Sequence, residues 1–197
     1  MTTLVFATGN RGKLREAAEI LGDGYRILSP ADVGVTDEPE ETGSTFRENS
    51  LIKAEALWKA TGLDCFADDS GLCVDALGGA PGIYSARYGA MAGFCADHDF
   101  EANIDRLLSE MDGVGDRRAH FHCTVTLITA GGSAFFDGEC PGSIALSRSG
   151  DGGFGYDPVF VPDGFGCSMA SLGEDVKNDI AHRGKALRLM KAFLESR

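Results

Sequence analysis

Leu4-Val5-Phe6-Ala7-Thr8-Gly9-Asn10-Arg11-Gly12-Lys13-Leu14 is the stretch that decides the fold class of this chain. Its first four residues are an apolar run of strand length, and Thr8-Gly9-Asn10 breaks it. Leu14, Ala17, Ala18 and Leu21 then recur at i, i+3, i+4 and i+7, the spacing of one helix face. A strand feeding a helix through a glycine turn opens an α/β fold. The turn also carries chemistry. Backbone N–H groups at a helix start lack partners and the macrodipole is positive there, so an anion is welcome. Gly9 and Gly12 permit close approach, and Lys13 adds a point charge. This is not a Walker A loop, because the glycines are too close together and no Ser or Thr follows Lys13. A phosphate seat and a plain strand–helix turn with a solvated lysine both fit these residues.

Outward from this start, residues 25–28 read as a second strand and the acidic, Pro-containing residues 36–43 as a loop. Ser44 or Thr45 is placed to cap a second helix bearing Leu51, Ala54 and Trp58 on one face, with Glu48 as a capping-box partner. Phe100, Ile104, Leu107, Leu108 and Met111 mark a third helix. Ala119, Phe121, Cys123, Val125 and Leu127 alternate with His120, His122, Thr124 and Thr126, a half-buried strand. Gly131-Gly132 turns the chain into an extended run over 133–137, continued over 143–146. A glycine-rich loop over 150–155 and a final helix with Leu187, Met190 and Leu194 complete the pattern. No repeat, low-complexity tract or linker interrupts it, so helices packed on a mixed sheet are expected in a single domain, residues 1–197.

Ala67-Asp68-Asp69-Ser70-Gly71 joins two short apolar runs, Cys65-Phe66-Ala67 and Leu72-Cys73-Val74, each read as a strand. Adjacent carboxylates at a strand end cannot point the same way, since side chains alternate. One can face outward while the other is held by backbone donors around Ser70-Gly71. Such a pair suits Mg²⁺ and an aimed water, because a hard cation takes oxygen ligands and keeps waters of its own. An Asx-rich turn with solvated carboxylates fits the same letters. Glu40-Glu41-Thr42-Gly43 offers further carboxylates, either as solvated surface or as the rest of a metal site, and Lys53 follows on the second helix.

Gly153-Phe154-Gly155-Tyr156-Asp157-Pro158 sets aromatic rings between glycines, which suits stacking on a planar base or plugging a core. Gly150, Gly152 and Gly155 match G-x-G-x-x-G in form only, since the chain runs on toward a strand and not a helix. Lys177 and His182-Arg183-Gly184 precede the last helix, and Arg183 has the donors to favour a 6-oxo over a 6-amino purine. His182 also reads as a capping or structural histidine. His120 and His122 share a strand face, but no third metal ligand is evident in the sequence.

The bulk properties narrow the partners. A formal charge of −12 over 197 residues argues against a nucleic-acid polymer, which needs a basic face, but not against a single nucleotide. Six cysteines without a C-x-x-C pair in a chain of this size read as reduced thiols of a cytoplasmic protein. No segment reads as a signal peptide or a membrane span.

Taken together the chain resembles the inosine triphosphate pyrophosphatase family, which removes non-canonical purine nucleoside triphosphates. The resemblance rests on Thr8-Gly9-Asn10 with Lys13, Glu41-Thr42-Gly43, Phe46 with Glu48-Asn49 and Lys53-Ala54, and Ala67-Asp68-Asp69-Ser70-Gly71-Leu72. It continues through Gly78-Gly79-Ala80-Pro81-Gly82 with Tyr84-Ser85-Ala86-Arg87, then 153–158, then Lys177 with His182-Arg183-Gly184. The pieces run in the family's order over nearly the whole chain. The resemblance implies an elongated α/β fold of two lobes, with a long mixed sheet, a central nucleotide cleft and a homodimer. It implies Mg²⁺-dependent hydrolysis of dITP, ITP or XTP to the monophosphate and pyrophosphate.

Carried over position by position, Thr8, Gly9, Asn10, Arg11, Gly12 and Lys13 would cradle the triphosphate and Lys53 would neutralise it. Glu41 and Asp69 would hold the metal, with Glu40 and Asp68 as neighbours of unassigned role. Asp69 would be the general base for the water attacking the α-phosphorus, and Ser70 would contact substrate. Phe154 would stack on the base, with Gly155, Tyr156 and Asp157 shaping its pocket and Lys177, His182 and Arg183 reading its edge. Ala181 stands where the family commonly has serine, and Asp179 where it is often basic. Two other functions use the same residues: a Mg²⁺-dependent phosphatase releasing inorganic phosphate, and a nucleotide sensor without turnover.

Overall fold

The computed structural model describes residues 1–91, 93 and 99–196. The opening pattern folds as expected, with β1 (Thr2–Phe6), α1 (Arg11–Leu21) and β2 (Tyr25–Leu28). β1 and β2 run parallel, so the chain must cross over between them, and α1 is that crossover. α2 (Phe46–Thr61) carries Leu51, Ala54 and Trp58 into one apolar cluster, as their spacing requires. Its N-cap is Thr45, whose hydroxyl accepts from Glu48 N at 3.1 Å. The Glu48 carboxylate reaches back one residue beyond the expected capping box, accepting from Ser44 N at 2.6 Å and Ser44 Oγ at 2.7 Å.

β3 (Cys65–Val74) is one ten-residue strand, where two strands flanking a turn were expected. Asp68 and Asp69 sit in its middle and are both buried. A charged pair inside a strand looks like a turn in sequence, because the partners that make burial tolerable lie elsewhere in the chain. α3 (Tyr88–Met91), α4 (Phe100–Glu110), β4 (Arg118–Thr129) and β5 (Gly132–Ile144) follow, β5 joined to β4 through Ala130-Gly131. After a 3₁₀ turn at Asp157–Val159 comes β6 (Phe160–Pro162), the strand toward which the glycine-rich loop was expected to lead. α5 (Glu174–Ile180) was not expected, having no apolar stripe. α6 (His182–Glu195) begins at His182-Arg183-Gly184, which the sequence reading put before the helix. The six strands form a mixed sheet in the order β2-β1-β3-β4-β5-β6, with β1 parallel to β3 and β5 antiparallel to β6.

The chain divides into two compact units. The first comprises Met1–Asp69, Cys123–Gly138 and His182–Arg197. Its strands bury both faces. Leu4, Phe6, Phe66, Cys123, Val125 and Leu127 pack with α1 and α6, whereas Val5, Cys65, Ala67 and Ile128 pack with α2. Odd and even residues of β1, β3 and β4 thus serve opposite layers, the period-two rule at work. At Gly138 the backbone of β5 lies so close to α6 that a Cβ would stand 2.1 Å from the His182 carbonyl oxygen.

The second unit, Ser70–His122 and Glu139–Ala181, has its own core of Leu72, Val74, Ile104, Leu107, Met111, Phe121, Val159 and Phe160. Cys65, Cys73, Cys123, Cys140 and Cys167 are free thiols; Cys95 lies outside the described residues. Among the described residues no helix is long and apolar enough to cross a membrane.

Candidate active site

The alternation along β3 creates the site. Asp68 shares the face of Phe66 and meets α1 and α6, while Asp69 shares the face of Ala67 and meets α2. Both Asp68 oxygens accept from Lys13 Nζ at 3.0 Å, and Oδ2 accepts from Arg183 Nε at 2.8 Å. Arg183 Nη1 donates to Glu16 Oε2 at 3.1 Å. On the other face, Lys53 Nζ lies 3.2 Å from Asp69 Oδ1 and 2.9 Å from Glu41 Oε1. One of the two aspartates was expected to be held by backbone donors near Ser70-Gly71; Asp68 is instead held by two cationic side chains.

The two carboxylates differ in electrostatics as sharply as in position. Burial alone would raise the Asp68 pKa, but Lys13, Arg183 and Lys53 outweigh it and hold the group well below the usual carboxylate range. Arg183 is only 5 % exposed, and the Asp68 and Glu16 carboxylates fix it as a permanent cation. Asp69 moves the other way. Burial raises it, Glu41 and Asp68 add to the rise, and Lys53 opposes it without cancelling it. Lys53 is pulled down by burial but held up by Asp69, Asp68 and Glu41.

Asp69 Oδ2 is buried and has no hydrogen-bond partner among the described residues. The cluster Lys13, Lys53, Arg183 with Glu16, Glu41, Asp68 and Asp69 holds three cations against four carboxylates. An unpartnered buried acceptor in a site of excess negative charge suits a hard cation. Glu41 and Asp69 are the oxygen donors placed to hold one.

The loop at the head of α1 is exposed at Gly9, Asn10, Arg11 and Gly12. Asn10 caps the helix, its Oδ1 accepting from Gly12 N at 2.8 Å and Lys13 N at 3.2 Å, and Asn10 N donates to Thr8 Oγ1 at 3.1 Å. Two helix-start N–H groups expected to face an anion are therefore engaged by the cap. The Lys13 ammonium, bonded to Asp68, is what the turn contributes to the charge cluster. The Glu41 loop is fixed from behind, where Gly43 N donates to Asn49 Oδ1 at 2.8 Å. Asn49 is fully buried, and its Nδ2 lacks a partner among the described residues.

A second group of expected residues assembles within the second unit. Gly153, at φ +81°, leaves no room for a side chain, since a Cβ would lie 2.1 Å from Asp157 Oδ2. That oxygen accepts from Lys177 Nζ at 2.9 Å and Phe154 N at 3.2 Å. The Phe154 ring stands 60 % exposed, beside Gly155, while Tyr156 is buried and donates to the Ser85 carbonyl oxygen at 2.9 Å. The two aromatics thus divide the two roles the sequence allowed them, one presented outward and one plugging the core. Ser70 opens this unit on β3. Of the three residues expected to read a base, Lys177 belongs to the second unit and His182 and Arg183 to the first. Glu16 and Asn49 were missing from the expected set. Glu16 lies i+3 from Lys13 on α1, a helix neighbour that could have been picked out; Asn49 belongs to the resembling segment Glu48-Asn49 but was given no role.

The chain matches the model of the Ham1 family over residues 4–193. The chain is 46% identical over 194 residues to the dITP/XTP pyrophosphatase of Treponema denticola, spanning 98% of both chains. It is 48% identical over 198 residues to that of Geobacter sulfurreducens, with 98% of this chain and 97% of the relative aligned. Among solved structures, the Staphylococcus aureus Ham1 protein superposes at a TM-score of 0.91 with 39% identity, covering 99% of each chain. A HAM1 protein from Coxiella burnetii gives 0.91 at 36% identity over 100% of each.

Proposed function

The chain belongs to the Ham1 family, and on that premise we propose that it hydrolyses non-canonical purine nucleoside triphosphates of the dITP and XTP type to monophosphate and pyrophosphate. The observation that carries this reading is the unequal carboxylate pair on β3. Asp68 is neutralised by Lys13 and Arg183, while Asp69 keeps a buried, unpartnered oxygen.

In this proposal Glu41 and Asp69 would hold Mg²⁺, which would supply charge neutralisation of the phosphates and a more acidic bound water. The remaining work falls to the chain. Lys53 holds Asp69 Oδ1, which fixes the carboxylate's rotation and leaves Oδ2 to face the metal and the attacking water whose proton it would accept. Burial and the neighbouring Glu41 and Asp68 make Asp69 a stronger base than an exposed carboxylate. Attack at the α-phosphorus breaks the bond to the bridging oxygen and expels pyrophosphate. Lys13, Lys53 and the exposed head of α1 lie where they can meet the phosphate charge. Phe154 is assigned as the stacking platform for the purine, with Gly155, Tyr156 and Asp157 shaping its surroundings. Lys177, His182 and Arg183 are assigned to the base edge, Arg183 with two of its nitrogens already donating to carboxylates. A homodimer, implied by the sequence resemblance, and a cytoplasmic location, read from the cysteine pattern, complete the proposal.

The decisive experiment scores pyrophosphate against phosphate with Mg²⁺ across ITP, dITP, XTP, GTP and ATP. Pyrophosphate from the 6-oxo non-canonical substrates, with GTP and ATP poor, is the expected result. Inorganic phosphate as the first product would move the attack to the terminal phosphorus and overturn it. Binding without turnover would make the protein a sensor.

A further inference from the structure

Ala119 and Phe121 on β4 point into the core of the second unit, so His120 and His122 between and beside them point to the opposite face. β5 is hydrogen-bonded to β4, and there Cys140 points into the same core. Glu139, one residue earlier, therefore shares the face of the two imidazoles. His122 Nδ1 lies 3.1 Å from Glu139 Oε1. A donor atom from each of the three residues lies within 4.8 Å of the other two. Both histidines are half-buried while Glu139 is exposed, so the group is braced by the sheet and open to solvent.

We propose that His120, His122 and Glu139 bind a divalent transition metal of the Zn²⁺ class, at a site made of different residues from the catalytic cluster. Two imidazoles and a carboxylate are the donors of three-ligand zinc sites, which complete the shell with water or an exchangeable ligand. Ligands of a tetrahedral ion with bonds of about 2.0–2.2 Å lie about 3.3–3.6 Å apart, so the His122–Glu139 pair needs to open only slightly. Histidines two apart on a strand form a pre-set pair, and the neighbouring strand delivers the third ligand from a position the sequence does not reveal. Mg²⁺ and Ca²⁺ prefer all-oxygen shells, so the ion assigned to Glu41 and Asp69 does not compete here. Cys73 on β3 is electrostatically coupled to Glu139 but is not one of the clustered donors.

The test strips the full-length protein with EDTA and titrates it with Zn²⁺ or Co²⁺ in excess Mg²⁺. A single ion per chain is expected at this site. Co²⁺ should give tetrahedral ligand-field bands without a thiolate charge-transfer band, and Zn²⁺ should raise Tm. His120→Ala/His122→Ala should lose both the ion and the Tm rise while keeping its circular dichroism and its Mg²⁺-supported activity. Asp69→Asn should retain the ion, and Glu139→Gln should weaken it even if the double variant folds poorly. Retention of the ion by both histidine and glutamate variants, its loss in Asp69→Asn, or a thiolate band would each overturn the proposal.

Discussion

At the scale of single residues, Asp68 and Asp69 differ by where their charge goes. Asp69→Asn keeps the size of the side chain and removes its basicity, so turnover should fall by about 10²–10⁴-fold. Nucleotide affinity should change little, and equilibrium binding alongside steady-state kinetics reads both. Near-normal turnover would move the base elsewhere. Lys13, Glu41 and Asp69 stood out in the sequence because each belongs to a short run whose letters carry chemistry, whereas Lys53 was singled out only through the family resemblance. Glu16 and Asn49 were given no role, because each acts by holding another part of the site in place, Glu16 the Arg183 guanidinium and Asn49 the backbone of the Glu41 loop at Gly43. Asp68 was visible as an acid but not as the partner of Arg183, which lies 115 residues away. No local pattern encodes a pairing of that span.

At the scale of elements, apolar periodicity located the early helices and strands well, since it reports directly which face is buried. It failed where the pattern is broken by charge, as in β3, or absent, as in the polar α5. The junction between the Glu41 loop and α2 is held by packing that tolerates no side chain at Gly43. A Cβ there would lie 2.6 Å from Asn49 Oδ1 and 2.7 Å from Glu48 Cβ. Gly43→Ala should therefore displace Glu41 and raise the Mg²⁺ concentration needed for half-maximal rate. An activity loss approaching ~10²-fold is expected, since small misplacements of a positioning group are costly. A wild-type metal requirement in this variant would show that the Glu41 loop is not held through Gly43.

At the scale of the whole molecule, a net charge of −12 is echoed inside the first unit by a cluster in which four carboxylates outnumber three cations. The Asp68 carboxylate is depressed in the folded state, so its contribution to stability is present above the unfolded pKa of about 3.9. That contribution is lost progressively as pH falls below it, by up to about 1.4 kcal/mol per pH unit. In EDTA-treated protein, Asp68→Asn should cost about 3–5 kcal/mol near neutral pH, because it strips a partner from buried Arg183 and half-buried Lys13. The gap to wild type should narrow below about pH 4, where wild-type Asp68 also begins to lose its charge advantage. Denaturant titrations at several pH values measure it; a gap constant with pH would remove Asp68 from the linkage.

The first unit is assembled from three separated pieces of chain, and the order of synthesis gives that arrangement a consequence. β3 leaves the ribosome early, carrying a carboxylate that must be buried. The guanidinium that makes its burial tolerable is made 115 residues later, at the head of α6. At translation rates of about 5–20 residues per second the interval lasts roughly 6–23 seconds. Until it has passed, a nascent chain can form its local helices but cannot close the first unit around Asp68. A ribosome stalled before Arg183 should therefore display a protease-sensitive chain, and one stalled well beyond α6 a resistant one.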